Sequence, residues 1–168
     1  SGVTYDGTVY KGDYRINDNG DGTVRADRVN GSDLAEVRFT NTYRTGEAAF
    51  TINGIKHMTG RSFRAGDEFT FIAEKDGQPY DTVTIRPESE NDAQFAMKTD
   101  VYTKADAGKT YTYTVYEQKG TISRVTYSDA VYKIHVSITD DGEGNLNAAA
   151  VIDGKAFTTV EFINSYDA

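Results

Sequence analysis

The amino-acid sequence predicts an all-β fold in the form of a β-sandwich. Twelve Tyr and eight Phe, together with abundant Thr and Val, are side chains that suit the pleated surface of a strand. Stretches of alternating apolar and polar residues, bounded by Gly, Asp and Asn, follow one another along most of the chain, and helical periodicity is poor. About seven short strands of this kind are typical of a two-sheet sandwich.

Seven stretches account for the predicted strands. They lie near residues 48–58, 68–74, 82–86, 109–117, 131–138, 145–152 and 158–166. Turn signals separate several of them, because Asp and Gly tolerate the backbone conformations of tight turns. These signals are Asp76-Gly77, Asp106-Ala107-Gly108 and Asp153-Gly154. Residues 75–81 and 86–94 are predicted to be exposed loops.

An internal repeat divides the chain. Val3-Thr4-Tyr5 recurs as Val125-Thr126-Tyr127, and Phe39-Thr40-Asn41-Thr42-Tyr43 recurs as Phe162-Ile163-Asn164-Ser165-Tyr166. Only the second copy is preceded by a full set of predicted strands. We therefore expect residues 1–44 to be the C-terminal portion of a preceding module and residues 45–168 to form a complete module, as in a tandem array.

Composition excludes several classes of function. The formal net charge of −8 is unsuited to nucleic-acid binding, which requires clustered Lys and Arg. Cysteine is absent, so disulfides, thiolate catalysis and cysteine-bound zinc are excluded. His57 and His135 are far apart in sequence and no hydrolase motif is present, so we expect no metal site, no cofactor and no enzymatic turnover. No apolar run approaches the roughly 18 residues of a membrane span.

Three polar residues, Lys56, Glu117 and Asn164, share a face with apolar neighbours in their predicted strands. Alternate side chains of a strand point to the same face, so the apolar residues identify the face that meets the core. The apolar companions of the three are Phe50, Ile52, Met58, Tyr111, Tyr113, Val115, Val160, Phe162 and Tyr166. Gly54 leaves open a bulge that would shift the register around Lys56.

Burial of Lys56, Glu117 and Asn164 is costly unless they meet, because an isolated charge in a dry interior must pair or lose its charge. One interpretation is a buried Lys–Glu ion pair with the asparagine as a hydrogen-bonded neighbour. Another is that the strand ends fray and let each group reach water. A third is chemical: desolvation lowers the pKa of a lysine from its usual value of about 10.4, so that a neutral amine becomes a nucleophile and the carboxamide a possible electrophile.

The assembled motifs resemble the pilin isopeptide-linkage modules of Gram-positive surface proteins, the family of streptococcal-type major pilin shaft domains. The resemblance covers nearly all of the chain. It rests on Ile55-Lys56-His57-Met58-Thr59-Gly60-Arg61, Glu68-Phe69-Thr70-Phe71, Tyr111-Thr112-Tyr113-Thr114-Val115-Tyr116-Glu117, Val125-Thr126-Tyr127 and Phe162-Ile163-Asn164-Ser165-Tyr166. It implies an immunoglobulin-like (Cna-B/pilin-type) β-sandwich in tandem modules.

The resemblance also implies roles for the three residues. Lys56 would attack Asn164, ammonia would leave, and Glu117 would handle the protons. We expect Glu117 to be protonated in the apolar core and to hydrogen-bond the carboxamide oxygen. The apolar shell expected to hold the groups together and exclude water consists of Phe50, Tyr111, Tyr113 and Phe162.

Asn41 is the repeat counterpart of Asn164, but no upstream Lys or Glu partner for it exists in the chain. We expect it to stay unreacted, so that the intact chain loses one ammonia and not two.

The function that the resemblance implies is mechanical, because a bond between the first and last strands of a module would carry tension past the rest of the sandwich. The chain would be a stalk or shaft module of a pilin or adhesin, extracellular and anchored to the cell wall of a Gram-positive bacterium. Its partners would be neighbouring modules of the same polypeptide or neighbouring pilin subunits, without nucleic acid or membrane insertion. The alternative is an adhesin module that binds a host matrix protein or glycan through loops such as 75–81 or 86–94.

Overall fold

The computed structural model describes residues 2–31 and 37–168, and its regular structure is almost entirely β-strand. The prediction of an all-β sandwich is confirmed. The chain forms two compact units, Ser1–Arg44 and Thr45–Ala168. Residues 32–36, which belong to the predicted module portion 1–44, lie outside the described residues. Within the described ranges no helix is long and apolar enough to cross a membrane.

The larger unit contains ten strands and one short 3-10 turn, Lys104–Asp106. The strands are β5 (Thr51–Thr59), β6 (Phe69–Lys75), β7 (Gln78–Ile85), β8 (Asp92–Lys98), β9 (Thr110–Gln118), β10 (Val125–Thr126), β11 (Val131–Asp140), β12 (Leu146–Ile152), β13 (Lys155–Ala156) and β14 (Val160–Tyr166).

Two sheets form the sandwich of this unit. One has four strands in the order β10-β14-β5-β8, in which β14 and β5 run parallel and the other neighbours are antiparallel. The other has six antiparallel strands in the order β13-β12-β11-β9-β6-β7. The first long strand of the unit and the last are therefore hydrogen-bonded neighbours in the centre of the smaller sheet.

The core consists of the inward-facing residues of the two sheets. The four-stranded sheet contributes Ile52, Met58, Phe95, Met97, Val160 and Phe162, and the six-stranded sheet contributes Phe69, Phe71, Ala73, Tyr113, Val115, Ile134, Val136, Ile138 and Leu146. Phe71 and Phe95 stack between the sheets with ring centroids 3.8 Å apart. Buried aromatic and β-branched side chains of this kind supply most of the free energy that holds a sandwich together.

The described residues of the smaller unit form four strands in two pairs. They are β1 (Val3–Thr4), β2 (Gly12–Asp18), β3 (Val24–Gly31) and β4 (Thr42–Tyr43). Strand β1 pairs with β4, and β2 pairs with β3, both antiparallel.

The structure differs from the sequence-based prediction in three places. The predicted loop 75–81 is a hairpin whose turn residues, Asp76 and Gly77, have φ values of 50° and 79°, because a two-residue turn between twisted strands requires positive φ. The predicted loop 86–94 ends at Asp92, where β8 begins. The bulge considered at Gly54 is absent, since β5 pairs with both neighbours without a register shift.

Candidate functional site

Lys56 lies on β5, one of the two central strands of the four-stranded sheet. The burial of β5 alternates along its length, and Lys56 falls among the inward-facing positions with Ile52, Gly54 and Met58. Its side chain is 0% exposed. The alternation of the strand thus places an amine in the core, where water cannot solvate it.

Asn164 and Glu117 reach the same place from two other strands. Asn164 lies on β14, parallel to β5, where it pairs with Met58 while Phe162 pairs with Lys56. Glu117 lies on β9 in the opposite sheet and pairs with Phe71. Asn164 is completely buried, and the side chain of Glu117 is as inaccessible as that of Lys56. The site therefore joins the two sheets across the core.

The carboxyl group of Glu117 bridges the two nitrogen atoms. Lys56 Nζ donates to Glu117 Oε2 at 3.2 Å, and Asn164 Nδ2 donates to Glu117 Oε1 at 2.9 Å. Lys56 Nζ also donates to the backbone carbonyl of Phe162 at 3.3 Å. Each oxygen of one carboxyl group thus faces a different nitrogen.

The carboxamide oxygen of Asn164 accepts a hydrogen bond from the backbone N–H of Ser128 at 2.7 Å. This differs from the expectation that Glu117 bonds this oxygen. The reason is that a backbone N–H can only donate, so the carboxamide turns its oxygen towards Ser128 and its nitrogen towards the carboxyl group.

Sequence reasoning missed Ser128, which follows the repeated stretch Val125-Thr126-Tyr127. Its counterpart in the first copy is Asp6, a different residue type. Because the backbone makes this contact, the type of side chain at position 128 does not indicate it. Only the neighbouring repeated stretch points to this position.

Desolvation drives the ionisable pair towards its neutral form. Burial lowers the pKa of Lys56 to about 8, although the nearby Glu117 opposes this shift. Burial likewise raises the pKa of Glu117, against the opposing effect of Lys56. The amine also lies 5.1 Å from the ring centroid of Phe69. An amine without its proton beside a protonated carboxyl group is the state in which the amine is a nucleophile.

The predicted apolar shell lies only partly at the site. Phe162 is next to Lys56 and fully buried, and its ring packs against Phe71 and Tyr132. The other three members make their ring contacts elsewhere: Phe50 with Phe157, Tyr111 with Tyr102, and Tyr113 with Tyr80.

Phe50, Tyr111 and Tyr113 lie on the predicted face of the chain. They are too far along it from Lys56 and Glu117 to contact the site. Tyr113 is four residues from Glu117, which is about 13 Å in a strand. Phe69, from a neighbouring strand of the same sheet as Glu117, takes the position over the amine instead.

Asn41 lies in the smaller unit and is exposed. Its carboxamide oxygen accepts a hydrogen bond from the backbone N–H of Asp6 at 3.0 Å.

In the described part of the chain, no three His, Asp or Glu side chains lie close enough together to hold a metal ion. His57, on the outer side of β5, is paired with Asp92, with 2.5 Å between Nδ1 and Oδ1. His135 contacts the hydroxyl of Thr112 through its ring nitrogen. The two histidines thus occupy separate places on the surface.

Comparison with known proteins identifies a family for this chain, and the solved structures that match its fold include two major pilins. The family model described as "Spy0128-like isopeptide containing domain" matches residues 1–44 and 52–167. A single-residue variant of the major pilin from Streptococcus pyogenes aligns with a TM-score of 0.50 and 15% identity over 72% of this chain and 51% of the pilin. A second Streptococcus pyogenes major pilin aligns with a TM-score of 0.52 and 16% identity over 73% of this chain and 54% of the pilin.

The chain thus spans about half the length of the solved pilins that it matches. No protein with a curated description is significantly similar to it.

Proposed function

The chain belongs to the Spy0128-like isopeptide-containing domain family, and from this premise we propose that residues 45–168 are a pilin-type structural module closed by an amide bond between Lys56 and Asn164. The family is structural and not enzymatic. The bond would form once in each molecule, with the fold as its catalyst. The observation that carries the proposal is the position of Glu117, whose two carboxyl oxygens face the attacking and the leaving nitrogen.

The reaction begins with transfer of one proton from Lys56 to Glu117, which leaves both groups neutral. The lone pair of Nζ attacks Cγ of Asn164, and the Nζ–Cγ bond forms while the carbonyl electrons move to Oδ1. The backbone N–H of Ser128, 2.7 Å from Oδ1, stabilises the negative charge that develops there.

The second half of the reaction is a proton relay through Glu117. Oε2 accepts a proton from Nζ, and Oε1 gives a proton to Nδ2. The electrons on Oδ1 then re-form the carbonyl as the Cγ–Nδ2 bond breaks and ammonia leaves. Glu117 is left with the one proton that it received from Lys56 in the first step. General acid–base catalysis requires a group within hydrogen-bond distance of the atoms that gain and lose protons. The carboxyl group of Glu117 lies within that distance of both Lys56 Nζ and Asn164 Nδ2.

Complete burial supports this chemistry in three ways. It removes the hydration that would keep Lys56 charged, and it excludes the water that would compete with the amine for Cγ. It also holds the reacting groups next to one another, so the entropy lost in bringing them together is not part of the reaction barrier.

The setting we propose is the outer surface of a Gram-positive bacterium, in a cell-wall-anchored pilin shaft or adhesin stalk. Residues 1–44 would be the C-terminal portion of a preceding module, which the internal repeat and the inclusion of these residues in the family match support. The partners would be neighbouring modules or neighbouring pilin subunits. In this setting, a chain without cysteine would be cross-linked by an amide bond and not by a disulfide.

The intact mass of the chain tests the proposal. We expect the wild-type chain to weigh less than its sequence by one ammonia, and Glu117→Ala to have the full sequence mass because the proton relay is lost. Glu161→Ala, which changes an exposed glutamate of β14, should keep the deficit. A wild-type chain with its full sequence mass would contradict the proposal, as would an undiminished deficit in Glu117→Ala.

A further inference from the structure

Two tight turns, 64–67 and 122–125, lie beside the end of β14 in the larger unit. Residues of both turns line a cavity of about 430 Å³, which we call the arginine pocket. A cavity of this volume is large enough to hold a small molecule or one group of a larger ligand. The charged and aromatic residues of its lining are Arg61, Arg64, Asp67, Arg124 and Tyr166.

Arg61 and Asp67 form a buried ion pair in the wall of the arginine pocket. Both side chains are 8% exposed, and Nη1 and Nη2 of Arg61 donate to the two carboxylate oxygens of Asp67 at 2.7 and 3.0 Å. Asp67 Oδ2 also accepts a hydrogen bond from the backbone N–H of Arg64 at 2.9 Å. The carboxylate is therefore fully engaged within the module, and its charge compensates one arginine.

The third donor group of Arg61, its Nε–H, has no acceptor. The atom is buried, and within residues 2–31 and 37–168 no other buried side-chain nitrogen or oxygen lacks a hydrogen-bond partner. A buried donor without an acceptor destabilises the fold unless a group from outside the protein accepts its hydrogen bond. Because the donor belongs to a cation, an oxyanion is the acceptor that would bind it most strongly.

Arg64 and Arg124 add positive charge that the protein does not compensate. Both are exposed, and neither forms a salt bridge with a carboxylate of the described residues. The guanidinium carbons of Arg61 and Arg64 lie 5.1 and 5.7 Å from the centroid of the Tyr166 ring, which attracts them as cations. Three arginines and one aspartate give the pocket lining a net charge of +2, in a chain of net charge −8. Such a local positive field attracts anions.

The backbone at Arg124 has a conformation that favours glycine. Its φ of 61° lies in the left-handed region, which is unfavourable for a residue with a long side chain. The internal repeat aligns Arg124 with Gly2. The turn is used alike in both copies, because the N–H of Arg44 donates to the Gly2 carbonyl at 2.7 Å and that of Asp167 donates to the Arg124 carbonyl at 3.0 Å. The backbone of this turn therefore does not require an arginine, and a role of the side chain accounts for it better.

We propose that the arginine pocket binds an oxyanion group, a carboxylate or a phosphate, of a ligand from outside the module. The group accepts a hydrogen bond from Arg61 Nε and forms ion pairs with Arg64 and Arg124. Guanidinium groups suit this role because their planar N–H pairs match the oxygen spacing of both carboxylate and phosphate. The site uses none of the residues of the proposed amide bond, so either proposal can fail without the other.

An NMR titration of the wild-type chain with inorganic phosphate, and separately with glucuronate, tests the site. The signal to follow is the Nε–H of Arg61 in arginine-labelled protein. We expect it to shift and saturate with at least one of the two anions, and to drift only slightly with sodium chloride at equal ionic strength. Saturation with phosphate alone assigns a phosphate group to the ligand, saturation with glucuronate alone assigns a carboxylate, and saturation with both supports a general oxyanion site.

Three variants examine which arginines hold the anion. Arg64→Gln and Arg124→Gly should each weaken binding about tenfold, since each removes one hydrogen bond between charged groups. Arg124→Gly should also leave the midpoint of denaturant unfolding unchanged or higher, because glycine suits the turn. Arg25→Gln, which changes an exposed arginine of the smaller unit by the same charge, should bind as the wild type does.

Three results would overturn the site. The first is an Arg61 signal that responds alike to phosphate, glucuronate and chloride, because water would then be the acceptor of its Nε–H. The second is unchanged affinity in the double variant Arg64→Gln, Arg124→Gly, because the anion would then bind elsewhere. The third is an equal loss of affinity in Arg25→Gln, because the net charge of the chain and not the pocket would then attract the anion.

Discussion

The reactive geometry depends on how three side chains and one backbone N–H are oriented. Alternation along each strand was sufficient to predict that Lys56, Glu117 and Asn164 face the core, because the face of a strand residue follows from its parity. Which oxygen or nitrogen meets which partner could not be predicted in that way. It depends on the backbone of Ser128, which fixes the carboxamide and leaves its nitrogen to Glu117.

At this scale we predict an abnormal titration of Lys56 in the Asn164→Ala variant, in which no bond to residue 164 can form. Burial lowers the pKa of the amine from 10.5 to about 8. Carbon-13 NMR of labelled lysine side chains should therefore show one amine that titrates near pH 8. Its signal should disappear in the double variant Asn164→Ala, Lys56→Met. If the Lys56 amine instead titrates near its ordinary pKa of 10.5, it is not desolvated.

The lowered pKa of Lys56 also predicts how the stability of the Asn164→Ala variant depends on pH. Between pH 8 and about pH 9.5 the unfolded chain holds a proton on this amine that the folded chain has lost, so the free energy of unfolding rises with pH across that window. The double variant has no such amine and should lack this rise, which denaturant titrations at several pH values would measure.

Strand β5 carries Lys56 into the core. Gly54 allows this strand to pack closely against the ring of Phe95. The Cβ of any other residue at this position would overlap the ring of Phe95, which is itself stacked on Phe71 and cannot withdraw. Glycine is thus required by the close approach of an aromatic ring and not by the backbone conformation.

We predict that Gly54→Ala destabilises the larger unit by about 1–3 kcal/mol, the usual cost of overpacking a filled core. The measurement is the free energy of unfolding in denaturant, in the Asn164→Ala background so that no cross-link forms. Gly46→Ala is the matched control, since its Cβ would meet only the Gly144 carbonyl at an ordinary 3.9 Å. Equal effects of the two substitutions would show that the space at Gly54 is not limiting.

Strand β8 shows where sequence-based prediction fails at this scale. Its inward residues Ala93, Phe95 and Met97 alternate as a strand requires, but Ala, Gln, Met and Lys have little intrinsic preference for strands. The strand forms because β5 offers it an edge and Phe71 offers Phe95 a stacking partner. Tertiary contacts of this kind are invisible in a single sequence.

The larger unit as a whole begins and ends with neighbouring parallel strands. Force applied through residues 45 and 168 would load the β5–β14 pair in shear, because the chain enters at the start of one strand and leaves at the end of the other. A bond between residues 56 and 164 would close a loop of about a hundred residues, which in the chain-entropy model stabilises the fold by several kcal/mol. The predicted strands 48–58 and 158–166 locate β5 and β14 in the sequence, but their parallel pairing and the four-plus-six division of the sheets were not predicted.

We predict that stretching a single molecule releases no length from the residues between Lys56 and Asn164. In Glu117→Ala, unfolding should add roughly 35 nm of contour length, at about 3.3 Å for each of these residues. Force spectroscopy with handles at the two ends measures the difference. The same extension in wild type and variant would mean that no bond shields this part of the chain.

The most direct measurement is tandem mass spectrometry of a tryptic digest. If the bond exists, trypsin cannot cleave after Lys56, and the digest contains one branched peptide in which residues 45–61 are joined to residues 156–168 with the loss of one ammonia. Cleavage after Lys56, with residues 45–56 and 156–168 recovered as separate linear peptides of full mass, would contradict the covalent closure of the module.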